Sequence, residues 1–162
     1  MKQLTTSAAA LLFILFTFTA RAQKLSDYDQ QDVEKVYADF TAAFQKLDAQ
    51  AAVDLYTDNG LHIDPMGKII RGHKELLAYH TNLFAYFKSL PKPDKTTHRD
   101  YDWNSRYVAP GLVMVSYTSE DINSFGDKIR RDKYSMAVLL KRVGDKWLAD
   151  EVAMTPVAEV PE

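Results

Sequence analysis

Apolar residues recur at every third or fourth position after Ser26, which predicts an amphipathic helix. Ser26 and Asp29 stand three residues apart at its start, which is the spacing of a capping box. One face of this helix is therefore apolar. Its apolar positions are Val33, Val36, Tyr37, Phe40, Phe44 and Leu47.

Two more helices are predicted before the spacing changes. Asp48 can cap a short second helix that runs through Tyr56 and ends at Asn59-Gly60, a strong turn signal. A third helix is predicted from Gly72 to just before Pro91, because proline cannot continue a helix. The rest of the chain has a different pattern.

Apolar and polar residues alternate over much of the remaining sequence, which predicts β-strands. Tyr101, Trp103 and Tyr107 are expected on one face, because successive side chains of a strand point to opposite faces. Three helices followed by long antiparallel strands indicate the α+β class. The predicted strands are residues 61–64 and 68–71, a strand beginning at residue 96, and residues 112–122, 128–142 and 147–154.

The start of the chain has the layout of a secretory signal peptide. Lys2 precedes a charge-free apolar run at residues 8–20, and Ala20-Arg21-Ala22 places small residues at −3 and −1 of a cleavage site before Gln23. The run is too short to span a bilayer as a helix. We therefore expect a periplasmic or secreted protein, cleaved after Ala22 and not held in the membrane.

Composition excludes several classes of function. The chain has 162 residues, enough for one domain, and a formal net charge of −2, which argues against nucleic acid as a partner. It has no cysteine, so disulfides and thiol chemistry are excluded, and its four histidines lack the spacing of metal ligands. No metal is expected. No cofactor is expected either, because export separates the protein from nucleotide cofactors and their glycine-rich motifs are missing.

The element order, with Asp64-Pro65-Met66-Gly67 after the second helix, resembles the NTF2-like superfamily, in particular its small SnoaL-like and DUF4440-like members. Residues 32–154 carry the resemblance. It implies N-terminal helices packed in a curved antiparallel sheet that forms a cone with an apolar pocket. The expected organisation is a signal peptide at residues 1–22, the NTF2-like domain at 23–156 and a flexible tail at 157–162.

Asp64 and His62 are the candidate catalytic residues. The resemblance implies a general base at Asp64, because ketosteroid isomerase, a member of the superfamily, has its base in an Asp-Pro-x-Gly turn. His62 shares a strand face with Asp64, so the two could activate a water between them. The alternative is that Asp64 only caps the amides of its own turn. Steroid isomerisation itself is not expected, because Phe40 replaces the oxyanion tyrosine and Ser135-Met136-Ala137-Val138 offers no acid.

Aromatic residues are numerous and are the candidate lining of the pocket. They could surround an apolar cavity and orient a ligand with a few hydroxyl groups, or simply fill the core. His80, on the apolar side of the third helix, is expected in the core. The candidate pocket residues are Tyr37, Phe40, Phe44, Tyr56, Trp103, Tyr117 and Tyr134.

Two functions remain open from the sequence. The favoured one is an exported module that binds a small apolar or aromatic molecule in its cone without catalysis. The alternative is a cofactor-free lyase, isomerase, dehydratase or hydrolase that uses Asp64 and His62. Whether the protein is an enzyme is left open.

A homodimer is expected from two strands that are apolar on both faces. Helices can cover only the concave side of a cone, so the convex side would expose an apolar patch unless a second copy covers it. The two strands are residues 112–117 and 134–140, and Val115 is the test position if it lies on the convex side.

Overall fold

The computed structural model describes residues 24–158. The predicted signal peptide at residues 1–22 and the last part of the predicted tail lie outside the described residues. Within residues 24–158, no helix is both long enough and apolar enough to cross a membrane. The elements are α1 (Asp27–Lys46), α2 (Ala49–Val53), β1 (Tyr56–Ile63), β2 (Ile69–Arg71), α3 (Gly72–Ser89), β3 (Lys95–Ala109), β4 (Leu112–Phe125), β5 (Lys128–Val143) and β6 (Lys146–Pro156).

The caps predicted for the first two helices form as expected. The Ser26 hydroxyl accepts a hydrogen bond from the Asp29 amide at the start of α1. The Asp48 carboxylate accepts one from the Ala51 amide at the start of α2. Each cap satisfies an amide that the first turn of a helix leaves without a partner.

The second helix is shorter than predicted, and its predicted C-terminal part is a strand. α2 ends at Val53, and Tyr56 begins β1 instead of ending the helix. Asn59-Gly60 lies within β1, at an irregularity in the pairing with β6. A Cβ atom at Gly60 would lie 2.9 Å from the Thr57 carbonyl oxygen, so the close approach of the backbone requires glycine.

The six strands form one curved sheet in the order β2-β1-β6-β5-β4-β3. All neighbours are antiparallel except β1 and β6, which are parallel, so the sheet is mixed where an antiparallel sheet was predicted. These two strands come from opposite ends of the fold. No hairpin joins them, and therefore no local signal fixed their relative direction.

Because of a β-bulge in β3, Tyr101 does not share a strand face with Trp103 and Tyr107, although a shared face was predicted. The pairing with β4 shifts between Tyr101 and Asn104, and Asp102 has a positive φ of 58°. An extra residue reverses which side chains face inward beyond it. Trp103 therefore faces the concave side, whereas Tyr101 faces the convex side, where the Lys133 ammonium lies 5.5 Å from its ring centroid.

The core lies between the concave face of the sheet and the helices. Alternate residues of β4 and β5 point into it, including Val115 and Met136. Met114 and Leu139, a cross-strand pair, lie on the convex face together with Leu112 and Ala137. These four side chains are half-buried or exposed. Val115 is thus a concave-face residue and cannot report on contacts of the convex face.

The N-terminus of α1 is fastened to the sheet through Asp29. Its carboxylate accepts hydrogen bonds from Tyr107 on β3, from Arg142 on β5 and from Trp147 on β6. The Tyr107 hydrogen bond is the main reason that the pKa of Asp29 lies below its ordinary value. One carboxylate therefore connects the first helix to three strands.

Candidate functional site

A cavity of about 850 Å³ lies between α1, α3 and the concave face of the sheet. α1 contributes its apolar stripe, and β1 and β3 to β6 contribute side chains from the opposite wall. All seven aromatic residues singled out in the sequence line this one cavity: Tyr37, Phe40, Phe44, Tyr56, Trp103, Tyr117 and Tyr134. The structure also brings Asp64 and His62 to its wall.

Three of these aromatic rings are in mutual contact on one side of the cavity. The ring centroids of Trp103 and Tyr117 are 5.1 Å apart in a stacked arrangement. Tyr37 meets both edge-on, at centroid distances of 5.3 and 5.5 Å. These offset-stacked and edge-to-face geometries are the favourable ones for aromatic pairs. They give this wall a rigid, apolar surface.

Asp64 lies in the turn after β1, and its carboxylate caps backbone amides of that turn. Its Oδ1 atom accepts hydrogen bonds from the amides of Met66 and Lys68, both at 2.9 Å. Asp64 therefore caps amides of its own turn, which was the alternative interpretation of this residue. The capped amides are those of Met66 and Lys68, whereas Met66 and Gly67 were predicted. Because only Oδ1 makes these two bonds, the second carboxylate oxygen is not used by the turn.

His62 is buried at the same end of the cavity and is neutral. Burial lowers its pKa to about 4, although the charge of Asp64 acts in the opposite direction. Its Nδ1 atom lies 2.9 Å from the hydroxyl oxygen of Tyr56. Burial also raises the pKa of Tyr56, so this hydrogen bond joins two uncharged groups near neutral pH.

Tyr79 completes this end of the cavity and was missed in the sequence. Its ring centroid lies 5.4 Å from that of His62. Burial, and next the Asp64 carboxylate, raise its pKa to about 12, so it is a hydrogen-bond donor at neutral pH. The available signal was its place beside His80 on the third predicted helix, but tyrosine at one helical position does not identify a site.

His80 lies behind His62 in the core, as its helical position predicted. Its side chain is fully buried, and neither ring nitrogen has a hydrogen-bond partner among the described residues. The ring is 5.8 Å from His62 and 5.5 Å from Phe44 between centroids. Burial, reinforced by His62, lowers its pKa to about 4.

A second polar cluster stands on the β3–β4 side and was not predicted. His98 Nδ1 lies 2.8 Å from Asp121 Oδ1, and its Nε2 lies 3.0 Å from Asp100 Oδ2. The Tyr37 hydroxyl donates to the same Asp100 atom. The sequence placed Asp100 on the face opposite Trp103; the bulge at Asp102 brings both to the concave side.

The carboxylates hold a positive charge on His98 more firmly than usual. Burial alone would lower the pKa of His98, but the hydrogen bonds and charges of Asp121 and Asp100 outweigh it and raise the pKa. On the other side of Asp100, burial and the hydrogen bond raise the pKa of Tyr37 to about 12. Tyr37 therefore remains a proton donor in this cluster.

Comparison with solved structures identifies the architecture. No family profile matches the chain, and no curated protein matches its sequence. Aln2 from a Streptomyces species superposes with a TM-score of 0.70 at 12% identity, covering 83% of this chain and 94% of Aln2. An NTF2-like family protein from Streptomyces avermitilis gives a TM-score of 0.65 at 14% identity, with 83% and 100% coverage. The chain has the NTF2-like fold.

A third structural neighbour is a ketosteroid isomerase-like protein from Erwinia carotovora atroseptica. It superposes with a TM-score of 0.62 at 15% identity, and the match covers 83% of this chain and 100% of the neighbour. At identities this low, the likeness concerns the fold. In residues 24–158 of this NTF2-like cone, no three His, Asp or Glu side chains are grouped so as to hold a metal ion.

The two neutral histidines predict a loss of stability in mild acid. The unfolded chain binds protons at the ordinary histidine pKa of about 6.5, whereas folded His62 and His80 bind them only near pH 4. The free energy of unfolding should thus fall by on the order of 1 to 2 kcal/mol per histidine between pH 7 and pH 5. In urea denaturation, His80→Leu should remove the contribution of one of these two histidines, while the raised pKa of His98 opposes part of the total fall in both proteins.

Phe84→Leu is the matched control, because Phe84 is a buried ring 5.6 Å from His80 that does not titrate. It should lower stability by the same amount at both pH values. If His80→Leu kept the full pH dependence of the wild type, the assignment of a neutral buried His80 would be wrong.

Proposed function

We propose that this domain binds a small apolar or aromatic molecule in the cavity of its cone, without catalysing a reaction on it. The observation that carries the proposal is the cavity itself. Its volume of about 850 Å³ lies within the usual range for small-molecule sites, and its walls are mainly apolar and aromatic with a few polar groups.

The polar groups of the cavity support binding more than catalysis. By the resemblance to ketosteroid isomerase, its oxyanion donors would correspond to Phe40 and to a residue of Ser135-Met136-Ala137-Val138. Of these, Phe40, Met136 and Val138 line the cavity, and their side chains are apolar. Asp64 has one oxygen engaged by two backbone amides. Hydroxyl groups such as that of Tyr134 remain on the wall and can orient a ligand.

Filling the cavity should abolish binding. Val138 lines the same cavity as Tyr37, Trp103 and Tyr117, which we call the aromatic wall. Val138→Trp would therefore occupy much of the cavity. We expect the neutral fluorescent probe N-phenyl-1-naphthylamine to bind the wild-type protein with micromolar affinity. Its affinity for the Val138→Trp variant should be at least tenfold lower. Fluorescence titration measures both, with circular dichroism as the check on folding.

The control is Val143→Trp, the same substitution on the same strand at a residue that is 47% exposed. It should bind the probe as the wild type does. No binding to the wild type, or equal binding to both variants, would contradict a ligand site in the cavity.

A second candidate is a cofactor-free lyase, isomerase or hydrolase in which Asp64 is the base. The observation in its favour is that Asp64, a neutral His62 and the donor hydroxyl of Tyr79 share one end of the cavity. A base, a neutral imidazole and a hydroxyl donor are sufficient for proton transfer at carbon. A ketosteroid isomerase-like protein is among the structural neighbours.

Proton abstraction from 5-nitrobenzisoxazole tests this candidate, because a base opens that ring in one step without any other catalytic group. If Asp64 acts as a base, Asp64→Asn should lower the rate at least tenfold while its amide oxygen keeps the turn capped. Asp58→Asn, at an exposed position of β1, should have no effect. Equal rates in the wild type and Asp64→Asn would eliminate the enzyme candidate and leave the binding function.

We propose further that two copies pair through the convex faces of β4 and β5. Leu112, Met114, Ala137 and Leu139 form an apolar patch there that no core side chain covers. A two-fold pair would bury this patch against itself, and two-fold dimers are the commonest closed assemblies.

Met114→Glu should convert the dimer into a folded monomer, because it would place two like charges near the two-fold axis in an apolar contact. Sedimentation equilibrium at micromolar concentration measures the mass. Tyr28→Glu, on an exposed position of α1, should remain dimeric. A wild-type mass of one chain, or a dimer that survives Met114→Glu, would exclude this interface.

We also propose that the protein is exported and that the mature chain begins at Gln23. The support is the charge-free run at residues 8–20 followed by Ala20-Arg21-Ala22. N-terminal sequencing of protein from the periplasm or the medium should read from Gln23. Intact Met1 protein in the membrane fraction would contradict export by cleavage.

A further inference from the structure

Apart from His98, the charged side chains that line the cavity are of one sign. Asp64 and Asp121 line the cavity, and no lysine or arginine of residues 24–158 does so. His62 is neutral because its pKa is about 4, so it adds no positive charge near pH 7. His98 is the one lining residue that can balance the carboxylates. A ligand within the cavity therefore meets a net negative wall.

We call the polar cluster on the β3–β5 side of the cavity the acidic wall: Asp100, Asp121 and Asp132 with His98 and Arg130, of which His98 and Asp121 line the cavity. Arg130 is committed to Asp132, with Nε 2.8 Å from Oδ2. His98 is shared by Asp100 and Asp121. Even with His98 protonated, this set holds three carboxylates and two cations, so the concave side of these strands has one unbalanced negative charge. Arg99, Arg131 and Lys133 lie on the convex side of the same strands, with Glu120.

Asp121 is the member of the acidic wall that a ligand can reach. Its side chain is 46% exposed, and it lines the cavity, whereas the Asp100 side chain is 17% exposed. The Oδ1 atom of Asp121 contacts His98, which leaves its other oxygen without a hydrogen bond from the described part of the chain. Asp100 Oδ1 is likewise without a partner there, and it is buried.

The aromatic wall lies directly beside the acidic wall. Tyr37 connects the two walls, because its hydroxyl donates to Asp100 and its ring contacts Trp103 and Tyr117. The faces of Trp and Tyr rings attract cations, and the attraction is larger where water is excluded. Carboxylate and ring faces thus favour the same kind of ligand group.

Resting on the proposed binding function, we propose that the ligand carries a protonated amine. Asp121 accepts its N–H hydrogen bonds at the acidic wall, while its apolar or aromatic body fills the cavity against Tyr37, Trp103 and Tyr117. A hydrogen bond between two charged groups is about twice as strong as one between neutral groups. A carboxylate ligand of the same shape would be repelled by the unbalanced charge.

Three molecules with one shared body test this inference: tryptamine, 3-ethylindole and indole-3-propionate, each titrated into the protein by calorimetry at pH 7.5. We expect tryptamine to bind about tenfold more tightly than 3-ethylindole, and indole-3-propionate to bind most weakly. Asp121→Asn should abolish the advantage of tryptamine and leave the affinity for 3-ethylindole within twofold. Retained binding of 3-ethylindole shows that the variant is folded.

Asp39→Asn, which removes a carboxylate from the outer side of α1, is the charge-matched control and should keep the preference for the amine. Equal affinities for tryptamine and 3-ethylindole would overturn the amine inference and leave the binding function standing. An undiminished preference of Asp121→Asn for tryptamine over 3-ethylindole would likewise overturn the amine inference. If none of the three bound, the binding function and the amine inference would both fall.

Discussion

The position of the first helix on the sheet depends on one carboxylate, that of Asp29. It accepts hydrogen bonds from strands β3, β5 and β6, through Tyr107, Arg142 and Trp147. A charged acceptor in a buried position is stable only when donors surround it, so the three strands and the helix are mutually constrained. This fixes α1 along the concave face and sets one wall of the cavity.

The bulge at Asp102 decides the chemistry of the opposite wall. On its two sides, β3 presents Asp100 and Trp103 to the same concave face. A regular strand would have placed them on opposite faces. The extra residue therefore puts an acidic group next to an aromatic wall, which is the combination that favours a cation over an anion.

The histidine pKa values shift in opposite directions at the two ends of the cavity. At one end, burial keeps His62 and His80 neutral, and the hydroxyls of Tyr56 and Tyr79 are the available donors. At the other, the carboxylates around His98 favour its charged form. Position within the cone, and not residue type, determines the direction in which the pKa of each of these histidines shifts.

The sequence by itself determined what local interactions control: the caps at Ser26 and Asp48, the existence of the helices and strands, and the aromatic character of the cavity. Only the tertiary structure decided the parallel pairing of β1 with β6, the early end of α2 and the cluster around His98. The physical reason is the distance along the chain over which each interaction acts. Caps and periodicity act within a few residues, whereas one extra residue in a strand reverses every face beyond it and shows its effect only when the strands have paired.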